Sequence, residues 1–303
     1  MTSDLKDYKQ RKANSRAAGL MLAPALCYYI LFFAGPIIVL MMFSVFTFRN
    51  LLWFPKLTLD NYFMALTDPV FAKILVRTFY LASWVTLLTL LVAYPFTFII
   101  TFVLPSRREF FYFLVLLTLF GSYLVRIYAW RTILGAQGIV NQTLLNMQII
   151  DEPIRGFLNS PVAVGIALTN FLVPLAVLPI YSAMQNISVG LLEAGRDLGA
   201  SWLQLIRTVA LPLTLPGVQV AAAFTFIASA GDFATSALIG GVSGRMAGAA
   251  IAREFGQTLN WPLGAAMAIV FIGCLLILIT AGWWVLAKLV RLQAVRFLTN
   301  FAL

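Results

Sequence analysis

Long apolar runs separated by shorter polar segments make up most of the chain. An α-helix rises about 1.5 Å per residue, so about 20 apolar residues cross a hydrocarbon core that is roughly 30 Å thick. Six runs are long enough, and each predicts one membrane-spanning helix: residues 20–46, 74–103, 110–134, 160–181, 213–239 and 263–286. The sequence therefore predicts an all-α integral membrane protein with six transmembrane helices.

The ends of the chain flank this membrane domain. The first apolar run is longer than the core of a signal peptide and no small-residue cleavage site follows Phe46, so we expect it to be retained. The predicted organisation is a tail over residues 1–19, a membrane domain over residues 20–286 and a second tail over residues 287–303. A single integral membrane domain is the simplest organisation of the chain.

Basic residues are unevenly distributed between the two sides of the membrane. Six crossings place both termini on one side, and the segments of that side carry twelve Lys and Arg residues against six in the opposite segments of similar length. By the positive-inside rule, both termini are predicted to be cytoplasmic. The net charge of +10 thus reflects topology, and no basic stripe interleaved with aromatic residues indicates nucleic-acid binding.

The composition excludes several kinds of active site. The chain has no His, and its two cysteines, Cys27 and Cys274, lie in apolar runs where a thiol behaves as a small hydrophobe. Without His, and without a cluster of carboxylates, neither a catalytic residue nor a metal site is expected. No Gly-Lys dipeptide occurs, so the chain lacks the phosphate-binding loop with which an ATPase would hold nucleotide.

The segment between the fourth and fifth predicted spans, about residues 182–212, carries the most informative pattern. Apolar residues recur there at steps of three and four, which predicts a short amphipathic helix with most charges off the apolar stripe; the stripe is Leu191, Ala194, Leu198, Trp202 and Leu205. Gly199 lies inside the pattern. It indicates either a bend between two short helices or the close approach of another backbone.

This segment resembles the EAA loop in permease subunits of bacterial ATP-binding cassette importers. That loop reads Glu-Ala-Ala, three residues, Gly, nine residues, Ile, any residue and Leu-Pro. The matching residues are Glu193, Ala194, Gly199, Leu211 and Pro212, whereas Gly195 and Val209 depart from the pattern. Gly195 is expected to loosen the first turn of the helix.

Further short matches are similar to the spermidine/putrescine permease subfamily. They lie at residues 93–96, 126–128, 173–175, 178–182, 193–201 and 260–262. The resemblance implies the type I importer permease fold in a bacterial inner membrane. It also implies a non-enzymatic subunit that forms the translocation pathway for a small solute, expected to be a polyamine.

The resemblance also implies partners. The loop would form a coupling helix on a cytoplasmic ATPase dimer that binds ATP and Mg, with Leu198 or Trp202 as an apolar anchor; the implied coupling residues are Glu193, Ala194, Arg196, Asp197, Gly199, Trp202, Leu211 and Pro212. A second homologous permease subunit, a periplasmic substrate-binding protein and membrane lipid complete the expected partners. A helix lying on the bilayer surface is the alternative for the same amphipathic pattern.

Ionisable residues inside predicted spans are costly and need an explanation. Arg77 is expected to reach the headgroups or to pair with Asp68. Asp232, in a run of small residues, is expected either to meet a cationic solute or to form a salt bridge with a basic residue such as Arg126. The candidate residues of the substrate pathway are Asp232, Arg126, Tyr123, Trp130 and Phe233.

Two prolines in the fourth predicted span, Pro174 and Pro179, are candidate hinges because proline removes a backbone donor inside a helix. Two other functions stay open from the sequence. One is a secondary, ion-coupled transporter of a small cation, which would not need the loop motif. The other is an importer of the same family for an opine or an amino-acid-like solute.

Overall fold

The computed structural model describes residues 22–49, 52–154 and 156–301. The tail predicted over residues 1–19 lies outside this range. The elements, numbered in chain order, are α1 (Leu22–Ser44), β1 (Phe46–Arg49), β2 (Leu52–Leu57), α2 (Asp60–Thr67), α3 (Pro69–Phe98), α4 (Arg108–Leu119), α5 (Tyr123–Ile133), α6 (Ile139–Asn146), α7 (Pro161–Met184), α8 (Val189–Asp197), α9 (Trp202–Leu205), α10 (Leu211–Ala230), α11 (Ala234–Ile239), α12 (Ala247–Gly256) and α13 (Trp261–Phe301). A π-helical turn, Ile99–Val103, lengthens α3, and another, Ile206–Ala210, joins α9 to α10.

The prediction of a helical membrane protein is confirmed. By length and composition, five helices of the described chain could each cross a membrane: Leu22–Ser44, Pro69–Val103, Pro161–Met184, Trp202–Ala230 and Trp261–Gly282. A sixth crossing is available if Pro105–Leu119 and Tyr123–Ile133 act together as one bent span. The helix that contains the last span continues to Phe301, through residues predicted as a tail.

The third predicted span is not one straight helix. Its two halves are bent by 91° at the break between Leu119 and Tyr123. Ser122 takes an extended conformation there, with φ −56° and ψ 128°, which ends the helical hydrogen-bond ladder. Gly121 leaves room for a side chain from the second half, because a Cβ at this position would lie 2.8 Å from Arg126 Nη2.

The fifth predicted span is shifted toward the N-terminus. The helix starts at Trp202 rather than near residue 213 and ends at Ala230 rather than near residue 239. The chain then makes a turn through Gly231 and enters the short helix α11. Asp232 therefore lies in a turn and not within a spanning helix.

Contacts divide the described chain into two units, and the first contains residues 22–66 and 254–270. At the end of the first predicted span, β1 and β2 pair as an antiparallel hairpin. The buried Asn61 closes the hairpin, since its Nδ2 donates to the carbonyls of Ser44 at 2.9 Å and Phe46 at 2.8 Å. The short helix α2 follows the hairpin, and Asn61 lies in its first turn.

The second unit contains residues 67–253 and 271–303, and α3, α7 and α10 pack together at its core. The start of α3 is capped by Asp68, whose Oδ1 accepts the Val70 N–H at 2.9 Å, and α7 is capped by Ser160. Several polar side chains on the core face of α3 are satisfied within their own helix, although the buried hydroxyl of Thr89 has no partner in the described structure. Each of four threonines donates to the carbonyl four residues earlier, at 2.6–2.8 Å: Thr78, Thr86, Thr97 and Thr101.

The closest approach of α10 to α7 is at Gly217. An added Cβ there would lie 2.6 Å from the carbonyl oxygen of Pro179 and 2.5 Å from the Cβ of Ala183. One of these atoms belongs to the backbone, so any side chain at position 217 has to push the two helices apart. Small residues that let helix backbones touch are the usual means of association in membranes.

We predict that Gly217→Ala lowers stability, by about 1–3 kcal/mol, because overpacking outweighs the better helix propensity of Ala. Gly273→Ala is the matched control, since Gly273 lies in α13 and has no neighbouring atom within 4 Å of an added Cβ. The measurement is the midpoint of thermal unfolding of both variants in the same detergent. Equal midpoints for the two variants would contradict the proposed contact.

Candidate functional site

The segment between the fourth and fifth spans forms two short helices joined at Gly199. Two hydrogen bonds close the end of α8: Gly199 N–H donates to the Arg196 carbonyl at 2.8 Å, and Ala200 N–H donates to the Gly195 carbonyl at 3.1 Å. This pair of bonds is a Schellman motif, which needs a residue with positive φ. Gly199 has φ +84° and no neighbour within 4 Å of an added Cβ, so backbone conformation and not space requires glycine. Of the two predicted roles for Gly199, the bend is the one observed.

The second short helix starts from a capping box. Ser201 Oγ accepts the Gln204 N–H at 3.3 Å, and Gln204 Oε1 accepts the Ser201 N–H at 2.7 Å. From this cap the chain runs through a π-helical turn into α10, so one helix extends over Trp202–Ala230. Leu211 and Pro212, predicted to close the loop before the span, lie instead inside this helix. The π-helical turn precedes the proline, which has no N–H to contribute.

The prediction of a single apolar stripe along this segment is wrong. Because the chain turns after α8, Leu198 is 90% exposed, whereas Leu205 is buried and packs with Leu192, a residue outside the predicted stripe. Gly195 makes this packing possible, since an added Cβ would lie 2.6 Å from Leu205 Cδ2. The departure from the loop pattern at position 195 therefore accompanies a close contact between the two short helices.

Trp202 is half-buried and packs against neighbouring side chains. Its ring meets Phe98 edge-on at 5.9 Å and lies under the Arg196 guanidinium at 4.6 Å. Trp202 and Arg196, together with Glu193, line a cleft of about 410 Å³ beside the turn after α3. The residues that face outward form the exposed loop surface: Glu193, Ala194, Arg196, Asp197, Leu198 and Gly199.

A second cluster of predicted residues lies where α10 ends. Asp232 is 8% exposed, and its Oδ1 accepts the hydroxyl of Tyr123 and, at 3.2 Å, that of Thr235. The two hydroxyl oxygens of Tyr123 and Thr235 lie 2.6 Å apart. Asp232 Oδ2 accepts the Ser236 N–H at 3.2 Å. We name Tyr123, Asp232, Thr235 and Ser236 the α5–α10 clasp, since it joins the first residue of α5 to the turn after α10.

The clasp shows that both oxygens of Asp232 have donors within the protein. The predicted salt bridge to Arg126 is absent among the described residues. The guanidinium of Arg126 lies instead over the ring of Phe171, 5.6 Å from its centroid, and the ring of Tyr123 lies 4.6 Å from the same centroid. Two donors of the clasp, Thr235 and Ser236, follow Asp232 at the third and fourth positions, a spacing that sequence reasoning could have used.

Arg126 and Trp130 line one cavity of about 650 Å³ together with Pro174 and residues of α3 and α7. The indole N–H of Trp130 donates to Asn170 Oδ1 at 3.3 Å, and the buried hydroxyl of Thr169 has no partner in the described structure. Within the described residues, no carboxylate pairs with Arg126. The cavity is mainly apolar, and Arg126 brings a positive charge to its lining.

The remaining predicted residues are placed as follows. Phe233, next to the clasp, is 57% exposed. Arg77 does not pair with Asp68, which caps α3; its Nη1 donates to the Ser243 carbonyl at 2.6 Å. Pro174 and Pro179 lie within the continuous helix α7, so their predicted role as hinges stays a prediction. In the part of the chain that the structure describes, no three His, Cys, Asp or Glu residues could hold a metal ion.

Comparison with known proteins shows the family to which the chain is similar. The profile of the family described as "Binding-protein-dependent transport system inner membrane component" matches residues 91–291. The spermidine/putrescine transport system permease protein PotB of Haemophilus influenzae is 37% identical over 73% of this chain and 76% of its own length. PotB of Escherichia coli is 36% identical over 70% of this chain and 76% of its own length.

A solved structure shares the fold. It is a bacterial alginate ABC transporter in complex with an alginate pentasaccharide-bound periplasmic protein, and one of its chains superposes with a TM-score of 0.68. The superposition covers 89% of this chain and 94% of that chain at 18% sequence identity.

We predict that Ser201→Ala loosens α9, because an N-cap contributes about 1 kcal/mol, equivalent to about fivefold faster local opening. Ser188→Ala is the matched control, since Ser188 stands at the N-cap position of α8 without a side-chain cap bond. The measurement is amide hydrogen exchange of peptides over residues 200–210 and 188–197. Exchange unchanged by Ser201→Ala would show that the capping box is not required.

Proposed function

This chain belongs to the family of binding-protein-dependent transport system inner membrane components, and from this membership we propose that it conducts a polyamine delivered by a periplasmic protein. The chain is a multi-pass inner-membrane permease subunit of an ABC importer, a transport subunit and not an enzyme. The observation that carries the mechanism is the loop bent at Gly199, with an exposed surface on one side and the helix Trp202–Ala230 on the other.

The exposed loop surface suits docking to a soluble ATPase. It offers one large apolar side chain, Leu198, next to the charged groups of Glu193, Arg196 and Asp197, and apolar anchors flanked by orienting charges are typical of such interfaces. We assign docking to Leu198 and not to Trp202, which packs against Phe98 and Arg196. Trp202, Leu211 and Pro212 then belong to the helix that transmits the motion, and Ala194 and Gly199 shape the docking turn.

Nucleotide binding is assigned to the partner. The ATPase dimer would hold ATP and Mg, and the binding and hydrolysis of ATP would supply the free energy that closes the dimer. This chain contributes the loop surface and the attached helix. A second, homologous permease subunit would complete the pathway between the two chains. The periplasmic protein in the solved alginate transporter supports a binding protein of the same kind here.

The solute is proposed from the relatives. PotB proteins are named for spermidine and putrescine transport, and this chain covers about three quarters of their length. The aromatic faces of Trp130 and Phe233 are suited to an ammonium group passing close to them. A wholly cationic solute is nevertheless repelled by Arg126, which lines the same cavity as Trp130.

The guanidinium of Arg126, which pairs with no carboxylate among the described residues, favours a second candidate. An amino-acid-like or opine-like solute carries a carboxylate as well as an amine, and an Arg side chain forms paired hydrogen bonds with a carboxylate. Asn170 and Thr169 line the same cavity and offer further donors. The test of the solute has to compare these two classes directly.

The experiment is uptake by proteoliposomes that contain the complex isolated from native membrane through a tag on this chain, with its binding protein added. We expect ATP-dependent uptake of labelled 1,4-diaminobutane and not of 4-aminobutanoate, which differs only by a carboxylate in place of one aminomethyl group. The reverse preference would establish the second candidate. Uptake driven by a proton gradient without ATP would overturn both.

Two substitutions on the exposed loop surface are predicted to abolish uptake while membrane insertion is kept. Glu193→Lys reverses the charge that faces the ATPase, and Gly199→Val forces a β-branched residue into a left-handed conformation. Both variants should insert normally and lose solute-stimulated ATP hydrolysis along with uptake.

The matched controls are Glu152→Lys, an exposed acid away from the loop, and Gly190→Val, a glycine of α8 with no neighbour within 4 Å of an added Cβ. Neither control should reduce uptake by more than about twofold, as expected for surface changes away from special features. Normal uptake in both test variants would refute the assignment of the loop.

A further inference from the structure

The α5–α10 clasp joins segments that are distant in the sequence. Its carboxylate is buried at the end of the helix Trp202–Ala230, and Tyr123 contributes its hydroxyl from the bent third span. A buried carboxylate is costly unless its acceptor sites are filled, and here three donors fill them. This geometry connects the end of the helix Trp202–Ala230 to α5. Because its oxygens already have donors within the protein, Asp232 is not available to bind solute.

The helix that leads to the clasp begins at the coupling loop. It contains 29 residues, which corresponds to about 43 Å at the usual rise and therefore to the whole thickness of the membrane. Its first turn is fixed to α8 by the contact of Leu205 with Gly195, and its middle contacts α7 at Gly217. A tilt imposed on the exposed loop surface is thus carried along one helix to the clasp at the opposite end.

The turn that contains Asp232 is also held from its other side. A Cβ at Gly248 of α12 would lie 3.0 Å from the Asp232 carbonyl oxygen, so α12 rests directly on this turn. Next to Gly248, Ala247 N–H donates to Thr78 Oγ1 of α3 at 2.8 Å. The turn therefore cannot slide independently of α12, and the clasp extends the same connection to α5.

We propose that the α5–α10 clasp transmits motion of the coupling loop to the bent third span, with Tyr123 and Asp232 as positioning residues for transport. This proposal rests on the proposed function of the loop. When the helix Trp202–Ala230 tilts, the hydroxyl–carboxylate bonds carry α5 with it, and α5 carries Arg126 and Trp130 of the cavity. Without the clasp, ATP hydrolysis proceeds but α5 does not follow.

The test removes one hydroxyl. Tyr123→Phe keeps the ring and its contact with Phe171 at 4.6 Å and deletes the bonds to Asp232 and Thr235. Tyr128→Phe is the matched control, because Tyr128 lies on the same helix and its hydroxyl makes no hydrogen bond within the described residues. Solute-stimulated ATP hydrolysis and uptake are measured on the same proteoliposomes that carry the wild-type or variant complex.

We expect uptake per ATP hydrolysed to fall by about fivefold or more in Tyr123→Phe, with ATP hydrolysis retained, and to stay unchanged in Tyr128→Phe. An unchanged ratio in Tyr123→Phe overturns the proposal. A raised KM for solute with an unchanged ratio also overturns it and makes this cluster a solute site. Absence of ATP-driven uptake in the wild-type complex would be a failure of the proposed function, which the variants do not address.

A second readout follows movement and does not depend on uptake. Phe233→Cys, in a chain with Cys27 and Cys274 replaced by Ser, places a thiol at an exposed position beside the clasp. Its labelling by an impermeant maleimide should change between nucleotide-free and vanadate-trapped complexes, and Tyr123→Phe should remove this change. If the change persists in Tyr123→Phe, the clasp does not transmit the motion.

Discussion

Each backbone N–H and C=O group within a hydrocarbon core needs a partner inside the protein, and this requirement decides where the chain can turn. At two helix ends of this protein, a side chain or a glycine completes the backbone hydrogen bonding. Asp232 takes the N–H of Ser236 at the turn after α10, and Gly199 allows α8 to close its own carbonyls. The two positions proposed to function in transport thus both lie where a helix ends.

The long apolar runs were sufficient to predict the fold class, because helices are the structures that satisfy the backbone within lipid. They did not predict the 91° bend near Gly121 or the early end of α10 at Ala230. Each break is only a few residues long, Gly121-Ser122 in one and Gly231-Asp232 in the other, so a hydropathy average over about 20 residues passes over them. The breaks depend on backbone conformation at Ser122 and Gly231, which a sum over side chains does not record.

The loop was predicted in position but not in the direction of its side chains. A periodic stripe assumes one helix axis, and the Schellman turn at Gly199 replaces it with two axes. Leu198 is exposed and Leu192 is buried for that reason. Likewise the sequence marked Asp232 as a charge in the membrane but could not show that Tyr123, more than a hundred positions earlier, supplies a donor.

The threonines of α3 have a consequence for how the protein is made. Thr78, Thr86, Thr97 and Thr101 donate to carbonyls of their own helix, so α3 carries four hydroxyls into the membrane without needing a neighbouring helix to pair them. These four hydroxyls therefore add no requirement for a partner helix when α3 enters lipid, whereas the hydroxyl of Tyr94 gains its partner, Thr214, only when α10 is present. Because α3 precedes α7 and α10 in the chain, the helix that carries these four hydroxyls is synthesised before the two that pack against it.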